Sequence, residues 1–481
     1  MRSTSPFPKI PSSCWNADAT GAGGSNPVKF CETGDRRSPC DPAFRAFVTV
    51  RQNLYTPYSR HTSRPRPMLD IVAIFLVITA LLAYLNHRFL RLPTTIGVMA
   101  SALGLSLTFV GLAALGITHS LHDAEEALVR SVDFGDVLLQ GMLSLLLFAG
   151  ALHVNFRQLK AYRMQVIALA VLSTIASTAI IGVGMWLLLP SLGVVLPLPY
   201  CMVFGALISP TDPVAVMGIL HSSGAPKNLE LVIVGESLFN DGVGVVIFAL
   251  LSGMAVSGVT PTFQTGLLTL LREAGGGLVF GAVLGYVTFR LLKSVDHYQV
   301  EVLITLAAVM GGYALANHLH VSGPLAMVVA GVMIGNRGRA DAMSETTRRY
   351  VDMFWELIDE ILNAVLFVLI GMEVLLVAFP GRILLAGACA AVVTLLARLL
   401  TVGLPVAAVG QAFRLPRGAW TVLTWGGLRG GISVALALSI PAGPERNVVL
   451  ALTYCVVVLS ILGQGLTVAS VVKLTLKRQA D

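Results

Sequence analysis

The sequence predicts an all-α polytopic membrane protein, with about thirteen transmembrane helices in two inverted six-helix repeats whose discontinuous helices cross. Three observations lead to this fold class: the composition, the succession of apolar segments, and two motifs that interrupt helices. Of the 481 residues, 55% are hydrophobic and 12% are charged. That charged fraction is about half the share usual in a soluble domain. The chain therefore belongs in a lipid bilayer.

The first 67 residues differ from the rest of the chain. They are rich in Ser, Pro, Arg and Gly and show neither helical nor strand periodicity, which is typical of a disordered extension. Met68 stands directly before the first apolar segment. Two interpretations remain open for residues 1–67: a disordered N-terminal extension, or an over-extended start of translation. The membrane domain is expected at 68–475, followed by a short tail at 476–481.

Thirteen apolar segments follow, each long enough or nearly so to cross a hydrocarbon core of about 30 Å as a helix. Their predicted limits are 70–87, 94–116, 132–153, 161–190, 199–221, 228–254, 262–292, 297–319, 321–336, 348–378, 381–410, 416–440 and 446–473.

The connecting loops alternate in their content of basic residues. The loops after the odd-numbered segments, together with the C-terminus, carry most of the Lys and Arg residues outside the N-terminal extension. Because basic loops face the cytoplasm, the C-terminus is expected there, in a multi-pass protein of the cell membrane. The formal net charge of +7 would suggest nucleic acid in a soluble protein, but here basic residues sit between apolar segments. We therefore expect the lipid bilayer as a partner and exclude nucleic acid.

Ionisable residues inside the predicted spans are few. Away from the span ends, the residues singled out are the acids Asp212, Glu236, Asp241 and Glu373, and the bases Arg398 and Arg429. A charge at the bilayer centre costs about 3 kcal/mol on insertion scales, so such residues persist where they pair or handle ions. For Glu236 and the two arginines, a structural pair and a functional role remain equally open. For Asp212 and Asp241 the sequence favours ion handling, because more acids than bases crowd this region.

The fifth span contains Ser209-Pro-Thr-Asp-Pro213. Each proline removes a backbone N–H and clashes with the preceding turn, so the helix is expected to open beside Asp212. Opened backbone at bilayer depth is tolerated where it lines a cavity or is buried in protein. Free carbonyl oxygens beside a carboxylate suit a hard cation such as Na⁺.

The sixth span contains Gly235-Glu-Ser-Leu-Phe-Asn-Asp-Gly242. Ser237 and Asp241 share one helix face, and Glu236 and Asn240 share the adjacent face. Crowding two carboxylates away from water favours the protonated form of one of them, which is expected to bind a proton near physiological pH. A cation and a proton then compete for one site, and this competition is sufficient for exchange.

The twelfth span contains Trp425-Gly-Gly-Leu-Arg-Gly-Gly431, which predicts a second interrupted helix. A small-residue packing face is the alternative interpretation. If spans 1–6 and 8–13 form two repeats, the fifth and twelfth spans occupy corresponding positions in opposite orientation. Two interrupted helices in corresponding positions are typical of a transporter site.

These motifs resemble the monovalent cation:proton antiporters of the NhaP and NHE branch. Ser209–Pro213, Glu236–Asp241, Phe354–Asp359 and Gly426–Gly430 match the family in order and spacing, and the resemblance covers residues 68–475. It implies a mobile six-helix core, a dimerisation domain, a homodimer, and exchange of Na⁺, or else Li⁺ or K⁺, for H⁺.

The resemblance also implies roles for individual residues. Asp241 would carry the ion, with Asp212, Ser237 and the backbone of Thr211 lining the site. Asn240 stands where the electrogenic branch has a second aspartate, which implies electroneutral exchange. Two further roles would be structural: Glu236 would pair with Arg398, and Arg429 would brace the crossing of spans five and twelve.

One departure concerns the third span, where many relatives carry an acid. Here Phe148 is followed by Ala149, and the nearby His153 is no obvious substitute. Because this acid is missing, the sequence does not decide whether the transported cation is Na⁺, K⁺ or Li⁺. A K⁺/H⁺ antiporter of the same fold is the alternative.

Three other classes are less consistent with the sequence. A channel needs a continuous filter, and no filter-like loop occurs. A carrier for an organic ion is expected to have more polar and aromatic pocket residues. An enzyme is disfavoured because HExxH, GxSxG and Walker motifs are missing from suitable contexts. No cofactor is expected.

Overall fold

Regular structure is helical throughout the part of the chain that the computed structural model describes. That part comprises residues 68–114, 141–154, 156–213, 216–217, 220, 225–257, 263–373, 381–409, 415–416 and 418–480. The predicted extension at 1–67 and the beginning of the third predicted span lie outside it. The predicted all-α fold class is confirmed.

We number the α-helices in chain order. Their bounds are α1 Met68–Leu85, α2 Thr94–Ala114, α3 Leu143–Leu152, α4 Phe156–Ala161, α5 Arg163–Ile167, α6 Ser173–Leu188, α7 Leu198–Ile208, α8 Lys227–Ser257, α9 Phe263–Leu292, α10 Tyr298–His318, α11 Gly323–Met333, α12 Arg339–Asp341, α13 Glu345–Glu373, α14 Gly381–Arg398, α15 Leu404–Val409, α16 Ala419–Trp425, α17 Gly431–Leu438, α18 Pro444–Leu459 and α19 Leu466–Ala480. Short π-helical turns join α5 to α6, α14 to α15 and α18 to α19 into continuous rods.

Seven of the described helical stretches are long and apolar enough to cross a membrane. They are Ala73–Leu90, Arg163–Leu192, Lys227–Ser257, Leu271–Leu292, Tyr298–His318, Gly381–Ala408 and Pro444–Thr475. Shorter apolar helices lie at Ile96–Thr108, Leu143–Leu152 and Leu198–Ile208. The count of thirteen spans and the inverted repeat therefore stay predictions, although most of the predicted segments correspond to a helix within a few residues.

Both predicted helix interruptions are confirmed. Helix α7 ends at Ile208, and residues 211–213 are not helical. The carbonyl of Ser209 would normally bind the N–H four residues later, but that residue is Pro213, which has none. Helix α16 ends at Trp425, and α17 begins at Gly431.

The helices around these interruptions pack closely through small residues. Helix α7 contacts α6 and α8, and a Cβ at Gly205 would overlap the backbone carbonyl of Thr178. One apolar cluster joins α6, α7 and α8 to α14 and α16–α19, and to the second half of α13. Another joins α3, α10 and α11 to the first half of α13. The two interrupted helices lie within the first cluster.

Candidate functional site

The two interrupted helices meet at their non-helical segments. The backbone N–H of Asp212 donates to the carbonyl of Leu428 at 2.8 Å. Gly430 has extended backbone that any residue adopts, at φ −115° and ψ −162°. A Cβ at Gly430 would nevertheless overlap the Asp212 carboxylate. The glycine is therefore required by this close approach and not by its backbone angles.

Arg429 provides hydrogen-bond donors for the backbone carbonyls at the C-terminal end of α7. Its Nη1 donates to the carbonyls of Ser209 at 2.7 Å and Pro210 at 2.8 Å, and the residue is 2% exposed. These carbonyls have lost their helical partners because the helix opens at the prolines. A cation at a helix C-terminus also complements the helix dipole. Arg429 thus ties α7 to the segment between α16 and α17.

Two polar residues of the last predicted span form hydrogen bonds with backbone groups at the second interruption. The N–H of Arg429 donates to Ser460 Oγ at 3.1 Å, and Ser460 Oγ donates to Gln464 Oε1 at 2.7 Å. Gln464 Nε2 then donates to the carbonyl of Trp425 at 3.3 Å. The two side chains thereby replace the helical bond from residue 429 to residue 425.

Thr211 is the centre of a buried hydrogen-bond network between α7 and α8. Asn240 Nδ2 donates to Thr211 Oγ1 at 2.8 Å, and the N–H of Thr211 donates to Asn240 Oδ1 at 3.3 Å. Thr211 Oγ1 also lies 3.0 Å from Ser237 Oγ. All three residues are buried. The opened end of α7 is therefore fixed against α8 by two side chains from two adjacent helix faces.

Asp241 lies directly after Asn240 on α8 and is 6% exposed. Its carboxylate interacts electrostatically with Asp212 and with Arg429. No hydrogen bond from a described residue reaches it. Asp212 is half-buried. The structure thus brings together Asp212, Asp241, Thr211, Ser237 and Asn240. Two carboxylates lie near one guanidinium in an environment that is largely shielded from water.

Glu236 and Arg398 form a separate buried ion pair. Arg398 Nη1 donates to Glu236 Oε1, and Nη2 donates to Oε2 at 3.0 Å. Arg398 Nε donates to the carbonyl of Leu423 at 3.2 Å. The two charged groups therefore neutralise each other, and Arg398 also binds the backbone of α16. Asn240, on the same face of α8 as Glu236, instead binds Thr211.

The remaining residues singled out from the sequence lie elsewhere. His153 is exposed, and its Nδ1 is 2.9 Å from the carbonyl of Ala149. The side chain of Glu373 lies outside the described residues. Sequence reasoning missed Ser460, Gln464 and Gly244, where a Cβ would overlap the ring of Pro210. Two polar residues one turn apart in an apolar span were the available signal for Ser460 and Gln464.

Comparisons with known proteins identify the family of the chain. Residues 76–474 match the family model described as "Sodium/hydrogen exchanger, transmembrane". The Na⁺/H⁺ antiporter NhaP of Pseudomonas aeruginosa is 53% identical over 411 residues, covering 84% of this chain and 96% of that protein. The Na⁺/H⁺ antiporter NhaH of Halobacillus dabanensis is 35% identical, covering 77% and 91%.

Among solved structures, the sodium proton antiporter MjNhaP1 from Methanocaldococcus jannaschii at pH 8 is similar with a TM-score of 0.66. The match covers 85% of this chain and 98% of that one at 19% identity, which supports the fold alone. The sequence match extends over most of the described helices, including both interruptions. The chain therefore belongs to the sodium/hydrogen exchanger family of multi-pass membrane transporters.

Proposed function

We propose that this chain is a secondary active antiporter that exchanges Na⁺ for H⁺ across the plasma membrane, with its C-terminus in the cytoplasm. The observation that carries the proposal is the burial of Asp241 beside Asp212 where two interrupted helices cross. Interrupted helices that meet beside buried carboxylates are an arrangement by which transporters bind Na⁺ and protons. The names of the Pseudomonas and Halobacillus relatives support Na⁺ as the first cation to test.

One site that binds either ligand accounts for exchange. Two carboxylates near one guanidinium leave excess negative charge in a place of low dielectric, where an unneutralised charge is costly. A proton or a monovalent cation relieves this cost, but the first to bind removes the attraction for the second. Asp241 is the carrier in this proposal, and Asp212, Thr211 and Ser237 offer further oxygens. Asn240 holds Thr211 in place.

The same exchange is electroneutral if one cation replaces one proton. Alternating access then requires the helices that hold the site to move as one body. The Glu236–Arg398 pair joins α8 to α14 and, through Leu423, to α16. Arg429 joins the end of α7 to the crossover, the place where Asp212 and Leu428 are hydrogen-bonded. These bonds support such a rigid body. The homodimer and the mobile six-helix core belong to the proposal through the family resemblance.

The test is proton movement in proteoliposomes that contain the purified protein and a trapped pH dye. We expect Na⁺ to give a change of internal pH at a lower concentration than Li⁺ or K⁺, and the rate to be insensitive to a membrane potential imposed across the vesicles. Wild-type protein that responds to none of the three cations would exclude cation:proton antiport. A response to K⁺ alone would replace the proposal by the K⁺/H⁺ alternative, which the missing acid at Ala149 leaves open.

A further inference from the structure

Helix α13 carries an acid and an amide at its centre that the exchange mechanism does not use. Trp355, Asp359 and Asn363 follow at intervals of four residues, and Leu366 completes the same helix face. Asp359 is residue fifteen of the 29 in α13, so it lies midway along the helix. The residues on either side of this stretch belong to two different apolar clusters. The polar stretch therefore lies at the junction between them.

This face of α13 is directed at the helix crossover. A Cβ at Gly431 would overlap the side chain of Leu366, so α13 touches the first residue of α17. The preceding residue, Gly430, packs against the Asp212 carboxylate. The Asp359 carboxylate interacts electrostatically with Asp212. Three carboxylates, from α8, from α13 and from the non-helical segment after α7, thus belong to one neighbourhood.

The position of Asp359 is fixed by its neighbour one turn earlier. Trp355 is fully buried, and its Nε1 donates to Thr305 Oγ1 of α10 at 3.1 Å. Its ring also contacts Phe148 of α3, with centroids 4.7 Å apart. These contacts anchor the middle of α13 to two other helices. Asp359 therefore extends from rigid backbone towards the crossover.

Asn363 supplies an independent indication of a ligand. The residue is 4% exposed, and its Nδ2 interacts with the Asp359 carboxylate but has no partner in regular hydrogen-bond geometry among the described residues. Buried amide groups in proteins are almost always paired with protein atoms, water or a ligand. The Asp359 carboxylate offers oxygen ligands for a cation, and the Asn363 N–H group beside it offers a donor to a water molecule bound to that cation.

We propose that Asp359 and Asn363 form a second cation subsite, which holds a partly hydrated monovalent cation beside Asp212 before it reaches Asp241. This inference rests on the proposed exchange of a cation for protons. Asp359 raises the local concentration of cations next to the carrier site, whereas Asp241 remains the group that exchanges them. The loss of Asp359 therefore weakens the apparent affinity for the cation and leaves the maximal rate nearly intact.

The experiment measures Na⁺-dependent proton exchange in proteoliposomes at constant ionic strength, maintained with choline chloride. We expect Asp359→Asn to raise the apparent KM for Na⁺ about tenfold while the maximal rate stays within about twofold of wild type. Asp359→Glu is expected to restore most of the affinity. Glu360→Gln is the matched control, because it removes the next acid along α13, which is exposed. It is expected to leave both parameters unchanged.

The outcomes separate this inference from the proposed function. If wild-type protein exchanges no cation, the proposed function fails first. If wild-type protein exchanges Na⁺ but Asp359→Asn has the same KM as Glu360→Gln, the subsite is wrong. Should Asp359→Asn fail to elute as a folded protein in size-exclusion chromatography, Asn363→Ala takes its place. An unchanged KM for Na⁺ in Asn363→Ala would then overturn the proposal.

Discussion

The N–H of Asp212 and the carbonyl of Leu428 are joined by a hydrogen bond of 2.8 Å, which links the interruptions of two helices far apart in the sequence. Because α7 ends at the prolines, the carbonyls of Ser209 and Pro210 have no helical partners, and Arg429, next to Leu428, donates to both. Each interruption thus supplies the groups that the other lacks. The segment that carries Asp212 of the proposed ion site is held by this mutual arrangement.

The contact between Gly430 and Asp212 predicts a steric effect on transport. A Cβ at residue 430 would occupy the space of the Asp212 carboxylate, so Gly430→Ala must displace that group from the site. We expect Gly430→Ala to elute as a folded protein but to exchange cations at least about tenfold more slowly, since small misplacements at a site have large effects on rate. Gly311→Ala on α10 meets open space and is the control. Equal rates in the two variants would contradict the steric account.

Arg429 predicts a loss of stability as well as of transport. Arg429→Gln removes a charge that binds the Ser209 and Pro210 carbonyls, and each such charged hydrogen bond contributes about 1.5–3 kcal/mol. We expect a lower unfolding temperature in detergent and little exchange, with partial recovery in Arg429→Lys. Arg382→Gln, which changes an exposed arginine at the beginning of α14, should behave like wild type. An unfolding temperature of Arg429→Gln equal to that of Arg382→Gln would refute the role of Arg429.

If Glu236 and Arg398 stabilise the fold as a pair, replacing both residues should destabilise the protein less than replacing either one alone. Removing one partner leaves a buried charge unpaired and costs about 3–5 kcal/mol, whereas replacing both by apolar side chains is often nearly neutral. We therefore expect Glu236→Leu and Arg398→Met each to lower the unfolding temperature, and the double variant to recover much of the loss. Additive losses in the double variant would show that the two side chains do not stabilise the fold as a pair.

Asn240 predicts a difference between two substitutions. Asn240→Ala removes both hydrogen bonds to Thr211, so we expect a raised apparent KM for the cation because the opened end of α7 is released. Asn240→Asp is expected to retain more affinity, because a carboxylate accepts from both the N–H and the hydroxyl of Thr211 while Ser237 donates to Thr211 in turn. The KM for Na⁺ in proteoliposomes distinguishes them. Wild-type affinity in Asn240→Ala would argue against this role.

Local signals predicted the helix interruptions and most helix positions correctly. The prolines around Asp212 disrupt the helical turn in which they lie, and the glycines near Arg429 do the same in the other helix. Their effect can therefore be predicted from a single stretch of sequence. The sixth predicted span, 228–254, differs from Lys227–Ser257 by three residues or fewer at each end. The hydropathy of an apolar segment depends only on the residues in that segment, which is why the helical membrane fold could be predicted from the sequence.

Contacts between distant segments were not accessible from single motifs. The two faces of α8 were distinguished by periodicity, but periodicity does not reveal that Ser237 and Asn240 both reach Thr211 while Glu236 turns to Arg398. Ser460 and Gln464 look like ordinary polar residues until the interruption beside them is seen. Asp359 stood in a recognised motif without an assigned role, because its neighbourhood with Asp212 arises from packing.

The central claim is that one carboxylate, Asp241, binds the proton and the cation in turn. Its most direct test is proton release on addition of Na⁺ to everted vesicles that contain wild type, Asp241→Asn or Glu230→Gln. Glu230 lies in the first turn of the same helix and serves as the matched control. We predict Na⁺-dependent release by wild type and Glu230→Gln, and none above empty vesicles by Asp241→Asn. Full release by Asp241→Asn would contradict the account.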